Sequence, residues 1–232
     1  INTDILTNSL NHLPDLHLDS PLTEPDVKNG AGNSIVILGS SKAGKTHVLK
    51  AIYDKYFKPA PKNVNLISIL FSVNIHAQVY DDLPAAVLRC DKFNKDSEKL
   101  INQMKKVNAI TKNKYQNLII LDDICDQKYS NVLNSLILTY RNAQFSSIIS
   151  LQYPYLLSKS SRSSVNVLIC GGFNTDESIE NVVKSFLSSK FVDMGYKTLQ
   201  SQISLYKKLT ADYHFLYYFS RKDILIRFKL TI

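Results

Sequence analysis

The sequence predicts an α/β domain in which helices cover both faces of a mostly parallel central sheet. Short runs of β-branched and aliphatic residues alternate along the chain with segments whose apolar residues recur at helical spacing. This alternation is typical of βαβ units, whose strands run parallel in one sheet between two layers of helices. Two further apolar runs near the C-terminus follow one another closely and predict an antiparallel hairpin at the edge of the sheet.

The elements are predicted in a regular order from Ser34 onward. Strands are expected at 34–38, 64–73, 117–121, 147–151, 165–170, 214–219 and 224–230. Helices are expected at 45–57, 96–110, 128–144, 179–187 and 199–209. Residues 74–95 are interpreted as irregular and polar. Residues 1–33, which carry three prolines, are predicted to form an extended N-terminal arm ahead of a domain at 34–232 with a strand-rich C-terminal extension.

The composition indicates a basic, globular protein. The chain has 232 residues, 44% hydrophobic and 21% charged, which is enough for one buried core. The net charge of +8 favours a polyanionic partner such as nucleic acid, although scattered lysines equally fit an ordinary solvated surface. The three cysteines lack zinc-site or disulfide spacing and fit a reducing compartment. No apolar run of about 18 residues occurs, so no contact with a membrane is expected.

A phosphate-binding loop follows the first predicted strand of the domain. The motif G-x-x-x-x-G-K-[ST] is matched at every position by Gly39, Ser40, Ser41, Lys42, Ala43, Gly44, Lys45 and Thr46. In such a P-loop, backbone N–H groups and a helix N-terminus face the phosphates of ATP. Lys45 is expected to reach the β- and γ-phosphates, and the Thr46 hydroxyl to bind Mg²⁺. His47, which comes next, is included among the predicted nucleotide-binding residues.

Two carboxylates end the strand predicted at 117–121. Asp122 is placed to bind Mg²⁺ directly or through water, and Asp123 to polarise the attacking water as a general base. Alone, two aspartates at a strand end are often a turn or a helix cap, but after a P-loop they indicate a catalytic pair. Gln152 ends the strand at 147–151. It could orient water or contact the γ-phosphate, and by itself it equally fits an ordinary loop residue.

Taken in order, these motifs resemble the FtsK–HerA superfamily of DNA translocases. The shared set is the P-loop, the strand ending in Asp122 and Asp123, Arg141 on the following helix, the strand ending in Gln152, and Arg162 before the next strand. More narrowly, the chain resembles the genome-packaging ATPases of poxviruses, virophages and related double-stranded DNA viruses, over roughly residues 34–190. The P-loop is generic, whereas the ordered set is more specific.

The resemblance implies a P-loop NTPase sandwich in which the strand bearing Gln152 lies between the P-loop strand and the acidic strand. It implies Gln152 as the γ-phosphate sensor and an arginine finger that acts on the ATP of a neighbouring subunit. Arg162 and Arg141 are the candidates, with Arg162 slightly favoured. It further implies a hexameric or pentameric ring around double-stranded DNA, capsid proteins as further partners, and action at the assembly site in the cytoplasm of an infected cell or in association with the virion.

One departure concerns the acidic pair. Many translocases of the superfamily have Asp-Glu at this strand end, whereas this chain has Asp122 and Asp123. The shorter side chain changes where the base sits, and the viral packaging enzymes accept it. DNA contacts are expected through phosphates, because no zinc finger or helix-turn-helix is recognisable. Lys and Arg on pore-facing loops would make them; residues 74–95 are one candidate segment, and no individual residue is assigned.

Three other functions fit parts of the pattern. A helicase loader or replication initiator shares the P-loop but usually adds a helical lid domain, whereas the C-terminal segment here is strand-rich. A small-molecule kinase needs a lid rich in arginine, and Arg162 is the one arginine at 150–165. A scaffold that binds ATP without hydrolysing it would not need the intact set of Lys45, Thr46 and the acidic pair. The leading hypothesis is an ATP-driven motor that moves double-stranded DNA into a viral capsid.

Overall fold

The computed structural model describes residues 5–10, 32–58, 65–84, 87–111, 115–124, 130–139, 145–220 and 223–230. Within them, one nine-stranded sheet runs through the molecule in the order β1-β9-β8-β7-β2-β6-β5-β3-β4. Its strands are β1 Ile5–Leu10, β2 Ser34–Leu38, β3 Asn65–Ser72, β4 Val87–Cys90, β5 Tyr115–Asp122, β6 Phe145–Leu151, β7 Val167–Cys170, β8 His214–Phe219 and β9 Ile224–Lys229. Strands β7, β2, β6, β5, β3 and β4 are parallel, and β8 is antiparallel to both of its neighbours.

Helices connect the strands in the predicted alternation. They are α1 Lys45–Ile52, α2 Lys95–Ile110, α3 Ser130–Thr139, α4 Lys159–Ser164, α5 Asp176–Val182, α6 Ser188–Asp193 and α7 Leu199–Thr210. Turns of π-helix at Tyr53–Phe57 and Val183–Leu187 extend α1 and α5, and short 3₁₀ turns lie at Gln78–Tyr80 and Pro154–Leu156. Side-chain caps from Asn94, Ser158, Thr175 and Thr198 begin α2, α4, α5 and α7 by accepting hydrogen bonds from otherwise unpaired N–H groups.

The sheet is buried on both faces, which confirms the predicted three-layer sandwich. Alternate residues of β2 enter two separate apolar clusters: Ile35 and Ile37 pack with α1, whereas Val36 and Leu38 pack with the helices of the opposite layer. The opposite layer contributes α2, α3 and the α5–α7 region. Continuous apolar strands are expected where both faces are covered, and β2 is fully buried along its length.

The hairpin predicted for the C-terminus is present, but its position at the sheet edge was wrong. β1 pairs in parallel with β9 and lies outside the hairpin, so the edge belongs to β1. An uncovered strand exposes a row of backbone donors and acceptors, and pairing with β1 satisfies that side of β9. Of the predicted arm, residues 1–4 and 11–31 lie outside the described residues, so an arm over 1–33 stays a prediction.

The interpretation of residues 74–95 as irregular was wrong in two places. The segment contains the 3₁₀ turn Gln78–Tyr80 and the edge strand β4. β4 escaped prediction because Leu88 and Arg89 are exposed, so the strand has no continuous apolar run and no regular alternation. The helix expected at 128–144 is described only as Ser130–Thr139, and its predicted remainder lies outside the described residues.

Candidate active site

The predicted catalytic strands lie next to one another at the centre of the sheet. β6 pairs with β2 on one side and with β5 on the other, in the registers Leu38↔Leu151 and Asp122↔Ser150. Their carboxyl ends therefore meet at one edge, where ligands bind in parallel α/β sheets. The P-loop, Asp122 and Gln152 follow from these three ends. This confirms the expectation that the strand bearing Gln152 lies between the P-loop strand and the acidic strand.

The P-loop is held to the ends of β6 and β7 by its own backbone. The Gly39 N–H donates to the Leu151 carbonyl at 3.3 Å, and the Ser40 N–H donates to the Gly172 carbonyl at 2.9 Å. Gly44 has φ +88°, a left-handed conformation that glycine adopts without strain, and α1 begins at the next residue. The loop therefore turns sharply into the N-terminus of α1, as phosphate binding at a helix N-terminus requires.

The β7–β8 side of the loop is packed closely against Phe215 of β8. A Cβ atom added at Gly171, just after β7, would lie 2.8 Å from the Phe215 ring, and one added at Gly44 would lie 3.4 Å from it. The Gly171 N–H donates to the Leu38 carbonyl at 2.8 Å, and its carbonyl accepts from the buried Tyr206 hydroxyl at 2.7 Å. The close approach of loop and ring explains why glycine occupies position 171.

Lys45 and Asp123 lie beside each other at the mouth of the loop. The buried ammonium group of Lys45 donates to the Ser40 carbonyl at 2.9 Å and lies 3.4 Å from Asp123 Oδ1. Asp123 has φ +53°, so the backbone turns abruptly after β5 and directs this carboxylate toward the P-loop. The structure thus brings together the predicted phosphate-binding lysine and the predicted general base.

Thr46 and Asp122 form an arrangement that fits Mg²⁺. The Thr46 hydroxyl donates to Asp122 Oδ2 at 2.9 Å. The Oδ1 atom of Asp122 is buried and, among the described residues, has no hydrogen-bond partner. A hydroxyl beside a carboxylate with a spare oxygen is the donor set that Mg²⁺ takes from a protein when phosphates and waters complete its octahedron. In the described part of the chain, no group of three or more His, Cys, Asp or Glu side chains is arranged to hold a metal ion.

The site also contains a tyrosine that the sequence motifs did not predict. Tyr80, on the 3₁₀ turn after β3, donates a hydrogen bond from its hydroxyl to Asp122 Oδ2 at 2.5 Å. Burial and the negative charge of Asp122 raise the pKa of Tyr80 above its ordinary value, so the hydroxyl keeps its proton. The only sequence signal was an aromatic residue in a polar segment after a strand that neighbours β5, which is too common to single out.

Other predicted residues lie around this centre. His47 lines a cleft of about 820 Å³ between the start of α1 and the segment after β3, together with Thr46 and Asp122. Gln152 is half-buried directly after Leu151, the residue that accepts the Gly39 hydrogen bond. Arg162 lies on α4, where its guanidinium donates to the Leu157 carbonyl at 2.9 Å and to Ser185 Oγ at 2.6 Å. Arg141 lies outside the described residues.

The segment suggested for DNA contacts, 74–95, is anchored to its own subunit by a few buried side chains, and about half of its described residues are exposed. Ile75, Tyr80 and Leu83 are buried in the same apolar cluster as α1, and Arg89 donates to the Leu83 carbonyl at 3.0 Å. Lys92 and Lys95 are exposed in the same stretch. A search for membrane spans finds no candidate among the helices of the described residues.

Comparison with protein families decides the relationship. Residues 29–217 match the family described as poxvirus A32 protein. The chain belongs to that family. The matched residues include the ends of β2 and β5 and the strand that precedes Gln152. The match confirms the resemblance to viral genome-packaging ATPases that the ordered motifs predicted. A comparison with curated proteins finds no match.

Solved structures share the fold with this member of the poxvirus A32 family. The DNA-packaging ATPase B204 of Sulfolobus turreted icosahedral virus has a TM-score of 0.61 at 15% identity, covering 87% of this chain and 99% of that one. B204 of Sulfolobus turreted icosahedral virus 2, in complex with AMPPCP, has a TM-score of 0.58 at 17% identity, covering 86% and 98%. The cytoplasmic domain of the type VII secretion ATPase EccC of Thermomonospora curvata has a TM-score of 0.53 at 11% identity, covering 88% and 26%. These likenesses confirm the P-loop ATPase fold.

Proposed function

We propose that this protein is an ATP-hydrolysing motor that moves double-stranded DNA and packages a viral genome into a capsid. One observation carries the proposal: the strand ending in Gln152 lies between the P-loop strand and the strand ending in Asp122, in a chain that belongs to the poxvirus A32 family. The solved relatives named as genome-packaging enzymes support the same function. The intact P-loop and acidic pair favour hydrolysis over a scaffold that only binds ATP.

Binding of ATP would use the backbone of the P-loop and Lys45. The loop N–H groups and the N-terminus of α1 face the phosphates, and the Lys45 ammonium exchanges its contacts with Ser40 and Asp123 for phosphate oxygens. Thr46 and Asp122 would hold Mg²⁺, which when bound neutralises charge that develops on the β- and γ-phosphates. When Lys45 leaves Asp123 for the phosphates, the carboxylate of Asp123 becomes available to a water molecule.

Hydrolysis requires a water to be aligned with the γ-phosphorus, opposite the leaving ADP, and to be deprotonated. We assign the general base to Asp123, because its carboxylate faces the P-loop within 3.4 Å of Lys45 Nζ. Gln152 would orient the same water or contact the γ-phosphate from the end of the central strand. Asp123 and Gln152 both follow strands that end at the same edge of the sheet, beside the end of β2.

An arginine finger from a neighbouring subunit would complete the site in a ring. Arg162 is the described candidate, and within its own chain it is bound to Leu157 and Ser185. A guanidinium has five N–H donors, so Arg162 could contact phosphate oxygens of the neighbour's ATP through the remaining three or by exchanging these two bonds. Arg141 is the alternative.

Contact with DNA would be made to the phosphates and be largely independent of sequence. The net charge of +8 supports such binding. An affinity built from Lys and Arg contacts falls steeply as salt rises, because condensed counterions are released on binding. The assembly site in the cytoplasm of the infected cell is the setting in which this activity would package DNA.

Hydrolysis measured with and without linear double-stranded DNA tests the proposal. Lys45→Ala and Asp123→Asn should each lower the rate by about 100-fold or more, since each removes a group that acts on the transition state. Asp123→Asn should still bind ATP. Lys99→Ala, which removes a charge from the exposed surface of α2, is the matched control and should hydrolyse normally.

Stimulation of the wild type by DNA, lost at high salt, is the expected result. A rate of ATP hydrolysis that DNA does not change at any salt or protein concentration would contradict the motor function and favour another P-loop ATPase. Binding of ATP without hydrolysis would favour the scaffold.

A further inference from the structure

The carboxylate proposed to bind the metal is held by a residue outside the P-loop. Asp122 Oδ2 accepts two hydrogen bonds, one from Thr46 at 2.9 Å and one from the Tyr80 hydroxyl at 2.5 Å. The other oxygen, Oδ1, is buried and has no hydrogen-bond partner among the described residues. Two donors on one oxygen restrict rotation of the carboxylate, so that its second oxygen stays directed at one place.

Tyr80 itself is firmly placed. Its side chain is 1% exposed and belongs to the apolar cluster that contains Val48 and Ile52 of α1 and Leu118 of β5. Its hydroxyl meets the carboxylate at the end of β5, next to Ser72, the residue that pairs with Asp122 across β3 and β5. The ring is thus held in the core, and the hydroxyl is held on Asp122.

The turn that carries Tyr80 is clamped to α1, the helix that begins in the P-loop. Lys50 of α1 is 7% exposed, and its ammonium lies 2.9 Å from the carboxylate of Asp82, two residues after Tyr80. Lys50 also pairs with Asp54 one turn further along the helix. Ile75 and Leu83 bury their side chains on either side of the turn in the same cluster as α1. Helix α1 and the turn are therefore held together, and Thr46 from the helix and Tyr80 from the turn both donate to Oδ2 of Asp122.

The turn also forms a wall of the cleft at the metal site. Asn74, Gln78 and Tyr80 line this cleft of about 820 Å³ opposite Thr46 and His47. Thr46 and Asp122 line the cleft as well, so waters on a metal held by these two residues would lie in it. Tyr80 therefore lines the same cleft as the two residues proposed to hold the metal.

We propose that Tyr80 is a positioning residue for Mg²⁺ binding: its hydroxyl orients Asp122 so that the free oxygen of this carboxylate serves the metal. This inference rests on the proposed nucleotide function. A tyrosine that only filled the core would contribute to stability alone, and its hydroxyl would not affect how much Mg²⁺ strengthens nucleotide binding. Partners that orient metal ligands change metal affinity by about 10–100-fold when they are removed.

The test compares Tyr80→Phe with Tyr53→Phe in the full chain. Tyr53 is a buried tyrosine of the same apolar cluster on the π-helical continuation of α1, so its substitution removes a hydroxyl away from Asp122. The dissociation constant of a fluorescent ATP analogue is measured in EDTA and in saturating Mg²⁺, with thermal unfolding as a measure of stability. The ratio of the two constants reports the contribution of the metal, separately from hydrolysis.

For Tyr80→Phe we expect affinity in EDTA to be unchanged and the gain from Mg²⁺ to fall about tenfold. Tyr53→Phe should keep the wild-type ratio. An unchanged ratio in folded Tyr80→Phe, or an equal fall in Tyr53→Phe, overturns the inference while the proposed function stands. A wild type whose affinity does not depend on Mg²⁺ overturns the metal assignment, and this inference with it.

If Tyr80→Phe does not fold, Asp82→Ala replaces it. The Asp82 side chain is 64% exposed, so its loss should leave the core intact while releasing the turn from Lys50. The same selective fall in the Mg²⁺ gain is expected, and a wild-type ratio in this variant contradicts the inference.

Discussion

The two sides of the P-loop are built from different interactions. On the β7–β8 side, the Gly171 N–H donates to the Leu38 carbonyl, the Gly172 carbonyl accepts from the Ser40 N–H, and the ring of Phe215 packs against the loop. On the β3 side, the contacts are between polar side chains, with Tyr80 on Asp122 and Lys50 on Asp82. In the proposed function, the first side sets where phosphates would lie, and the second sets how the carboxylate proposed to bind the metal is directed.

Because the two sides of the P-loop are built from different interactions, we expect the proposed phosphate site and the proposed metal site to be perturbed by different substitutions. Changes on the β7–β8 side should weaken nucleotide binding equally with and without Mg²⁺, because the loop backbone itself moves. Changes on the β3 side should weaken nucleotide binding only when Mg²⁺ is present. The variants below probe the first side, from the largest expected effect to the smallest, for contrast with the Tyr80→Phe test.

Phe215→Ala should have the largest effect. It removes a ring that is 2% exposed and lies against the positions of Gly44 and Gly171, so the free energy of unfolding should fall by about 3–5 kcal/mol. Nucleotide affinity should fall by a similar factor in EDTA and in Mg²⁺. Urea unfolding and analogue binding measure the two effects. Phe57→Ala, at the far end of the α1 segment, is the control for stability and should leave the affinity of the folded protein unchanged.

Gly171→Ala should have an intermediate effect. The added methyl group would lie 2.8 Å from the Phe215 ring, which is itself stacked on Phe228 and cannot withdraw freely. Overpacking of this kind costs about 1–3 kcal/mol of stability, and the displaced loop should bind nucleotide more weakly. Gly172→Ala is the matched control, since its methyl group meets nothing closer than 3.7 Å. Equal behaviour of the two variants in unfolding and binding would show that the ring does not constrain the loop.

Tyr206→Phe should have the smallest effect. The hydroxyl that it removes donates to the Gly171 carbonyl at 2.7 Å in the buried core, and the ring remains. Loss of one buried hydrogen bond should lower the free energy of unfolding by about 1–2 kcal/mol. Denaturant unfolding measures it, and the Mg²⁺ gain in nucleotide affinity should be that of the wild type. A selective loss of that gain would mean that the two sides are coupled.

The central part of the molecule could be predicted from sequence, because it combines strong local signals. The apolar strands, the glycine-containing loop and the two aspartates each follow from short-range patterns, and parallel pairing brings them to one edge. Tyr80 and Phe215 could not be predicted as parts of the site. Their roles depend on contacts with Asp122, 42 residues away, and with the loop glycines, and no local pattern encodes contacts of that range.

The edge strands were also beyond prediction. β4 is half-exposed and four residues long, so it lacks the periodicity that marks a strand. β1 becomes a strand only through pairing with β9 at the other end of the chain. A partner of Arg162 in the proposed ring would belong to the same category, since a contact between subunits leaves no short-range pattern in one sequence.

The most direct test of the central claim is displacement of a third strand from a DNA triplex. A motor that moves along the duplex strips a third strand bound in its path, and it does so only while hydrolysing ATP. We expect the wild type to release the strand with ATP and Mg²⁺, and Lys45→Ala to release none. Hydrolysis by the wild type without release of the strand, under conditions where the protein binds the duplex, would contradict translocation.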